Sequence, residues 1–64
     1  MYVKVMELVG ESDTSWKDAV RNAVRQASQT ASNITGVEVI NLTAGVREGD
    51  LYEYKANVKV AYTE

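Results

Sequence analysis

The chain has 64 residues, seven Lys plus Arg against nine Asp plus Glu, a net charge near -2, and no cysteine, histidine or proline. A chain this short forms one small domain over residues 1–64 and buries only about 60% of the surface its unfolded form exposes, so disulfides, a metal or further copies of itself must support it. Without Cys or His there are no disulfides, no thiolate or imidazole metal sites and no Cys-His or Ser-His catalysis, which points to self-association and away from an enzyme.

The basic residues are dispersed from Lys4 to Lys59 and form no block, which excludes nucleic acid as the expected partner. Apolar runs are a few residues long, and the start of the chain lacks the basic and long apolar regions of a secretory signal, so the expected setting is soluble and cytoplasmic, with no membrane.

Tyr2 to Val9 alternates, with Val3, Val5 and Val9 on one face and Lys4, Met6 and Leu8 on the other, and predicts a strand ending at Gly10. Glu11 to Thr14 then forms a polar turn. Ser15 is placed to cap a helix, and Asp18 puts a carboxylate in its positive first turn. Trp16, Ala19, Val20, Ala23, Val24, Ala27, Ala31 and Ile34 recur at intervals of three and four, predicting a helix to about Ser32. Alanine dominates this stripe, so the helix can lie close to a sheet while burying little area.

Val37 to Val46 predicts a second strand, with Val37 and Val39 alternating against Glu38, Ile40 and Leu42. Glu48-Gly49-Asp50 marks a turn. The last segment places Tyr52, Tyr54, Ala56, Val58, Val60 and Tyr62 on one face and Glu53, Lys55, Asn57 and Lys59 on the other. The order β-α-β-β gives an α+β subunit, a three-stranded antiparallel sheet curled around one helix. One helix cannot cover strands this long, so the bare face and edges require other copies.

V-K-V-M-E-L-V-G-E-S at the start, S-W-K-D-A-V at the helix start, V-E-V after the helix and Y-K-A-N-V-K-V-A-Y at the end resemble the dodecin family in order and spacing over nearly the whole chain. That resemblance implies a hollow homododecamer of β-α-β-β subunits that stores a flavin without catalysing a reaction. In the flavin-binding members the ring stacks on a tryptophan two residues before the glutamate of the second strand, and a glutamine early in the third strand meets its edge. Here those positions are Gly36 and Lys55, so the resemblance carries over the fold but not the flavin contacts.

Trp16 and the tyrosines of the last strand offer alternative stacking surfaces, although packing in the core or between subunits is the plainer role for large aromatics. Glu11, Ser12, Asp13 and Asp18 near the helix start, and Glu48 with Asp50 at the glycine turn, supply the oxygen donors that hard cations such as calcium prefer. The clusters match no calcium-loop motif, and capping and turn formation account for them without a metal. Around a threefold axis, however, one carboxylate per subunit becomes three, and Asp13, Glu48 and Asp50 are the candidate ligands. Two N-x-T matches, at Asn33 and Asn41, are short enough to arise by chance.

Overall fold

The structure is a computed structural model and describes residues 2–64. Four elements follow in the expected order: β1 (Val3–Ser12), α1 (Trp16–Ala27), β2 (Ile34–Arg47) and β3 (Asp50–Thr63). The sheet order is β1-β3-β2, fully antiparallel, so the last strand lies in the middle and β1 and β2 form the edges. No helix among the described residues is long and apolar enough to cross a membrane.

The core is small. Val58 and Val60 are its largest fully buried side chains, joined by Ala56 of β3 and by Ala19, Ala23 and Ala27 of α1. Each buried valine contributes about 2 kcal/mol and each alanine less. The alanine stripe lets α1 press onto β1 at Gly10, where a Cβ would run into the Ala19 carbonyl oxygen and lie 2.9 Å from the Ala23 methyl.

That close approach decides which face of β1 is inside. Met6 and Leu8 pack against the core together with Gly10, whereas Val3, Val5 and Val9 are each about 60% exposed on the opposite face. β1 also runs two residues beyond its expected end at Gly10, because Glu11 and Ser12 continue the ladder opposite Lys55 and Tyr54.

The helix is shorter than its periodicity predicts. Ser15 caps it with an extended backbone, its hydroxyl accepting the Asp18 N-H at 3.0 Å. It stops at Ala27 because hydroxyls compete for the last carbonyls: Ser28 Oγ donates to the Arg25 carbonyl at 2.7 Å and Thr30 Oγ1 to the Ala27 carbonyl at 3.2 Å. Ala31 still packs beneath the turn, and Ile34 is the first residue of β2.

β2 departs further from simple alternation. Its pairing with β3 shifts between Ile34 and Gly36, between Val39 and Asn41, and between Thr43 and Gly45. The first two shifts insert an extra residue in β2. Leu42 therefore pairs with Ala56 and shares the helix-side face with Val37 and Val39, rather than opposing them as expected. The third shift inserts Glu53 into β3 with φ 52°. Tyr52 is thereby moved onto the face of Gly45, opposite the face that Tyr54 shares with the core, so the expected single row of tyrosines is broken. Bulges of this kind bend and coil a sheet. β2 and β3 are joined by a two-residue turn, Glu48 (φ 53°) and Gly49 (φ 79°), closed by the Arg47–Asp50 pair. Positive φ at both positions gives the twist that suits a right-handed ribbon.

Candidate functional site

Gly36 lies at the start of β2 beside Ala61, on the face away from the helix, and nothing stands within 4 Å of where its side chain would begin. Lys55 is on the same face of β3, between Glu11 of β1 and Thr43 of β2. Its ammonium is 4.0 Å from the Glu11 carboxylate, and both groups are largely exposed. Gly36 and Lys55 are separated by six residues of β3, or about 20 Å at ~3.3 Å per residue. One subunit therefore does not bring them together.

Glu11 as the neighbour of Lys55 was not singled out from the sequence, although the signal was present. Glu7 and Glu11 are four apart in β1, Lys55 and Lys59 four apart in β3, and the register pairs Glu7 with Lys59 and Glu11 with Lys55. Opposite charges across neighbouring strands favour that register.

The oxygen-rich residues divide into two separate places. Glu11, Ser12, Asp13, Thr14, Asp18 and Asn22 line an open depression of about 480 Å³ at the start of the helix. Its centre is Ser12, a buried hydroxyl that donates to Asp18 Oδ2 at 2.7 Å and accepts the N-H groups of Thr14 at 2.9 Å and Ser15 at 3.3 Å. The Ser12 hydroxyl, together with the positive charges of Arg21 and Arg25, holds the Asp18 carboxyl below the usual carboxylate range against the opposing effect of desolvation. The Asn22 amide donates to the Glu11 carbonyl at 2.9 Å, tying the helix to the end of β1. Asp18 is thus occupied in holding the turn. Glu48 and Asp50 sit at the hairpin tip, where Asp50 Oδ1 accepts the Leu51 N-H at 2.9 Å. Among the described residues no three acidic, Cys or His side chains are grouped so as to hold a metal ion.

Trp16, Tyr54 and Tyr52 are engaged in packing. Trp16 meets Tyr54 edge to face, ring centres 5.1 Å apart, and donates its indole N-H to the Thr43 carbonyl at 2.8 Å. Tyr52 lies over Gly45, where a Cβ would come within 2.8 Å of the ring, and carries the Arg47 guanidinium 4.1 Å from its centre. Both arrangements fit the packing role rather than a free stacking surface.

These features define a class of small α+β subunit: a curled three-stranded antiparallel sheet with one helix packed on β1 and β3, and apolar side chains of β2 left exposed. The Dodecin family model matches residues 2–64, and the chain belongs to the dodecin family. A calcium dodecin from Mycobacterium tuberculosis is 29% identical over 59 residues, covering 92% of this chain and 83% of that protein. The structure of a dodecin from Streptomyces coelicolor superposes with a TM-score of 0.88 at 31% identity, covering 95% of this chain and 87% of the other. A structure of the M. tuberculosis calcium dodecin, described as a calcium chelating immunodominant antigen with a novel calcium-binding site, superposes at 0.84 with 26% identity, covering 100% of this chain and 91% of the other.

Proposed function

We propose that the protein is a non-enzymatic, cytoplasmic, homododecameric shell that binds or stores a small ligand, with little affinity for flavins. The observation that carries this reading is the open space at Gly36, on a chain whose fold is that of a dodecin subunit. With no ring at that position, a flavin loses its stacking partner. An aromatic pair contributes roughly 0.5 to 1.5 kcal/mol beyond its area, and each ~1.4 kcal/mol is tenfold in affinity. Lys55 adds a second mismatch, because an ammonium donates but does not accept, and bringing it against a neutral ring edge costs desolvation. A ligand touching both positions would meet Gly36 of one copy and Lys55 of another, since within one chain they are far apart.

Titration of riboflavin, followed by quenching of its fluorescence, tests this directly. Binding to the native protein should be at least tenfold weaker than to a Gly36→Trp, Lys55→Gln double variant, for which the empty space at Gly36 leaves room. Tight binding by the unmodified protein defeats the reading.

A second reading, a divalent-cation shell, is favoured by the calcium dodecin relative. Asp13, Glu48 and Asp50 would act here only as sets contributed by several copies, because one chain does not gather them. Elemental analysis for calcium, and thermal unfolding with and without a chelator, decide it. No bound metal and an unchanged melting temperature would end that reading.

A further inference from the structure

On the face of the sheet turned away from α1, Gly45 of β2 pairs with Tyr52 of β3. A Cβ at residue 45 would stand 2.8 Å from the Tyr52 ring, so a larger residue there would push the ring off the strand. Arg47, two residues further along the same face, lays its guanidinium over that ring, 4.1 Å from its centre. On the other side the neighbouring rung is Thr43 with Lys55. Two cations therefore flank one tyrosine along a strip of about 13 Å, at ~3.3 Å per residue. Asp50 faces Arg47 directly across the strands, where opposite charges ordinarily pair. Here they do not. Among the described residues the ion pairs are made by Lys4, Arg21 and Lys55, while Asp50 Oδ1 accepts the Leu51 N-H at 2.9 Å.

We propose that Arg47, held flat on Tyr52 and supported by Lys55, binds the oxyanion group of a small ligand, a phosphate or a carboxylate. A guanidinium stacked on a ring presents its N-H donors in one plane at its edge, a fork that matches two oxygens at once. The stack also fixes in advance the side-chain freedom that an unsupported arginine loses on binding. Glu11, beside Lys55, and Glu48 and Asp50, beside Arg47, offset the two positive charges. Diffuse attraction for anions is therefore weak, and the directed fork contact has to carry binding. All of these groups belong to one chain, so the site is complete without a second copy. The inference rests on the small-ligand reading above, which it deepens by giving that ligand an anionic group.

Calorimetric titration of the native protein with sodium pyrophosphate and, separately, with sodium succinate tests this, ionic strength being held constant with chloride. At least one of the two should bind with a dissociation constant on the order of millimolar or tighter, and the tighter one identifies the group as phosphate or carboxylate. Arg47→Lys keeps the charge but loses the fork, and should weaken binding by about tenfold or more. Arg21→Gln removes a charge from the helix and should leave binding unchanged. Tyr52→Leu should weaken it by roughly fivefold and, as the sign that Tyr52 acts by positioning, should abolish the ring-current shift of the Arg47 Nε-H resonance. Binding of neither anion overturns the proposal, as does Arg47→Lys binding as tightly as the native protein or Arg21→Gln weakening it as much as Arg47→Lys. Riboflavin carries no charge, so its titration succeeds or fails independently and keeps the two readings apart.

Discussion

Where β1 and β3 run beneath α1, the helix contributes only alanines to the fully buried core; at the far end of the same sheet, the Ala44–Glu53 ribbon carries Val46 and Leu51, which face each other across the strands and stay 65% and 46% exposed. The first region meets its partners through backbone proximity, alanine against glycine, and tolerates no added atom. The second has room to spare and holds itself by local turn and bulge geometry. The difference shows that the interior is built by setting the alanines of α1 closely against Ala56, Val58 and Val60 of β3, whereas Val46 and Leu51 of the ribbon remain exposed in the subunit.

That contrast breaks most sharply at Gly10. A Gly10→Ala change puts a methyl into the Ala19 carbonyl, which is backbone and cannot swing aside. It should cost about 3 kcal/mol, enough to unfold a core this small, whereas adding a methyl at Gly36, in open space, should cost less than ~1 kcal/mol. Urea denaturation of the two variants side by side measures the gap. Equal effects would mean that the helix does not lie as close to β1 as described.

The polar joint between β1 and α1 comes next in size. Removing its hydroxyl with Ser12→Ala strands the Thr14 and Ser15 N-H groups and should cost about 1 to 2 kcal/mol. The same joint gives an acid dependence. Because the native Asp18 pKa is depressed, its contribution is fully present above the unfolded carboxyl value and is lost as pH falls through the lower native one. Helical circular dichroism should therefore weaken in acid below about pH 4, and Asp18→Asn should remove that component of the transition. An acid midpoint unmoved by Asp18→Asn would assign the sensitivity to another group.

The smallest change expected is a gain at the β2–β3 turn. Glu48 adopts positive φ in a turn that favours Asn-Gly, so Glu48→Asn should stabilise by about 0.5 to 1 kcal/mol. A melting temperature raised by a few degrees would report it. No gain would show that Glu48 holds positive φ without strain in this turn.

Much of the covered region was legible in the sequence. Ala56, Val58 and Val60 announce the inner face of β3 by strict alternation, Ser15 and Asp18 mark the helix start, and Glu48-Gly49 marks the hairpin. The inner face of β1 was not, because Val3, Val5 and Val9 look as apolar as Met6 and Leu8, and only the fit of Gly10 against the alanine stripe separates them. Gly36 and Gly45 stand at two of the three register shifts, but a glycine does not say which strand gains the residue and nothing marks the shift at Ile40, so Leu42 and Tyr52 could not be assigned to their faces by counting. Of the candidate site, Gly36 and Lys55 come from the family resemblance alone. Their separation along β3 and the proximity of Glu11 to Lys55 depend on strand register, which pairwise alternation alone does not fix.

Trp16 is the sole tryptophan, and its indole N-H is tied to the Thr43 carbonyl at the point where the helix start meets the outer half of the β2–β3 ribbon. The molecule therefore contains its own optical gauge. Excited at the red edge of its absorption, where the four tyrosines are silent, the protein has one emitter whose wavelength and lifetime track this single joint. Loosening of the β2–β3 ribbon from the helix would shift the emission to the red before the rest of the sheet is lost. Any bound chromophore absorbing in the near ultraviolet would drain the same emission by energy transfer, so one untreated sample in a fluorimeter reports both the state of the joint and whether such a ligand has been retained.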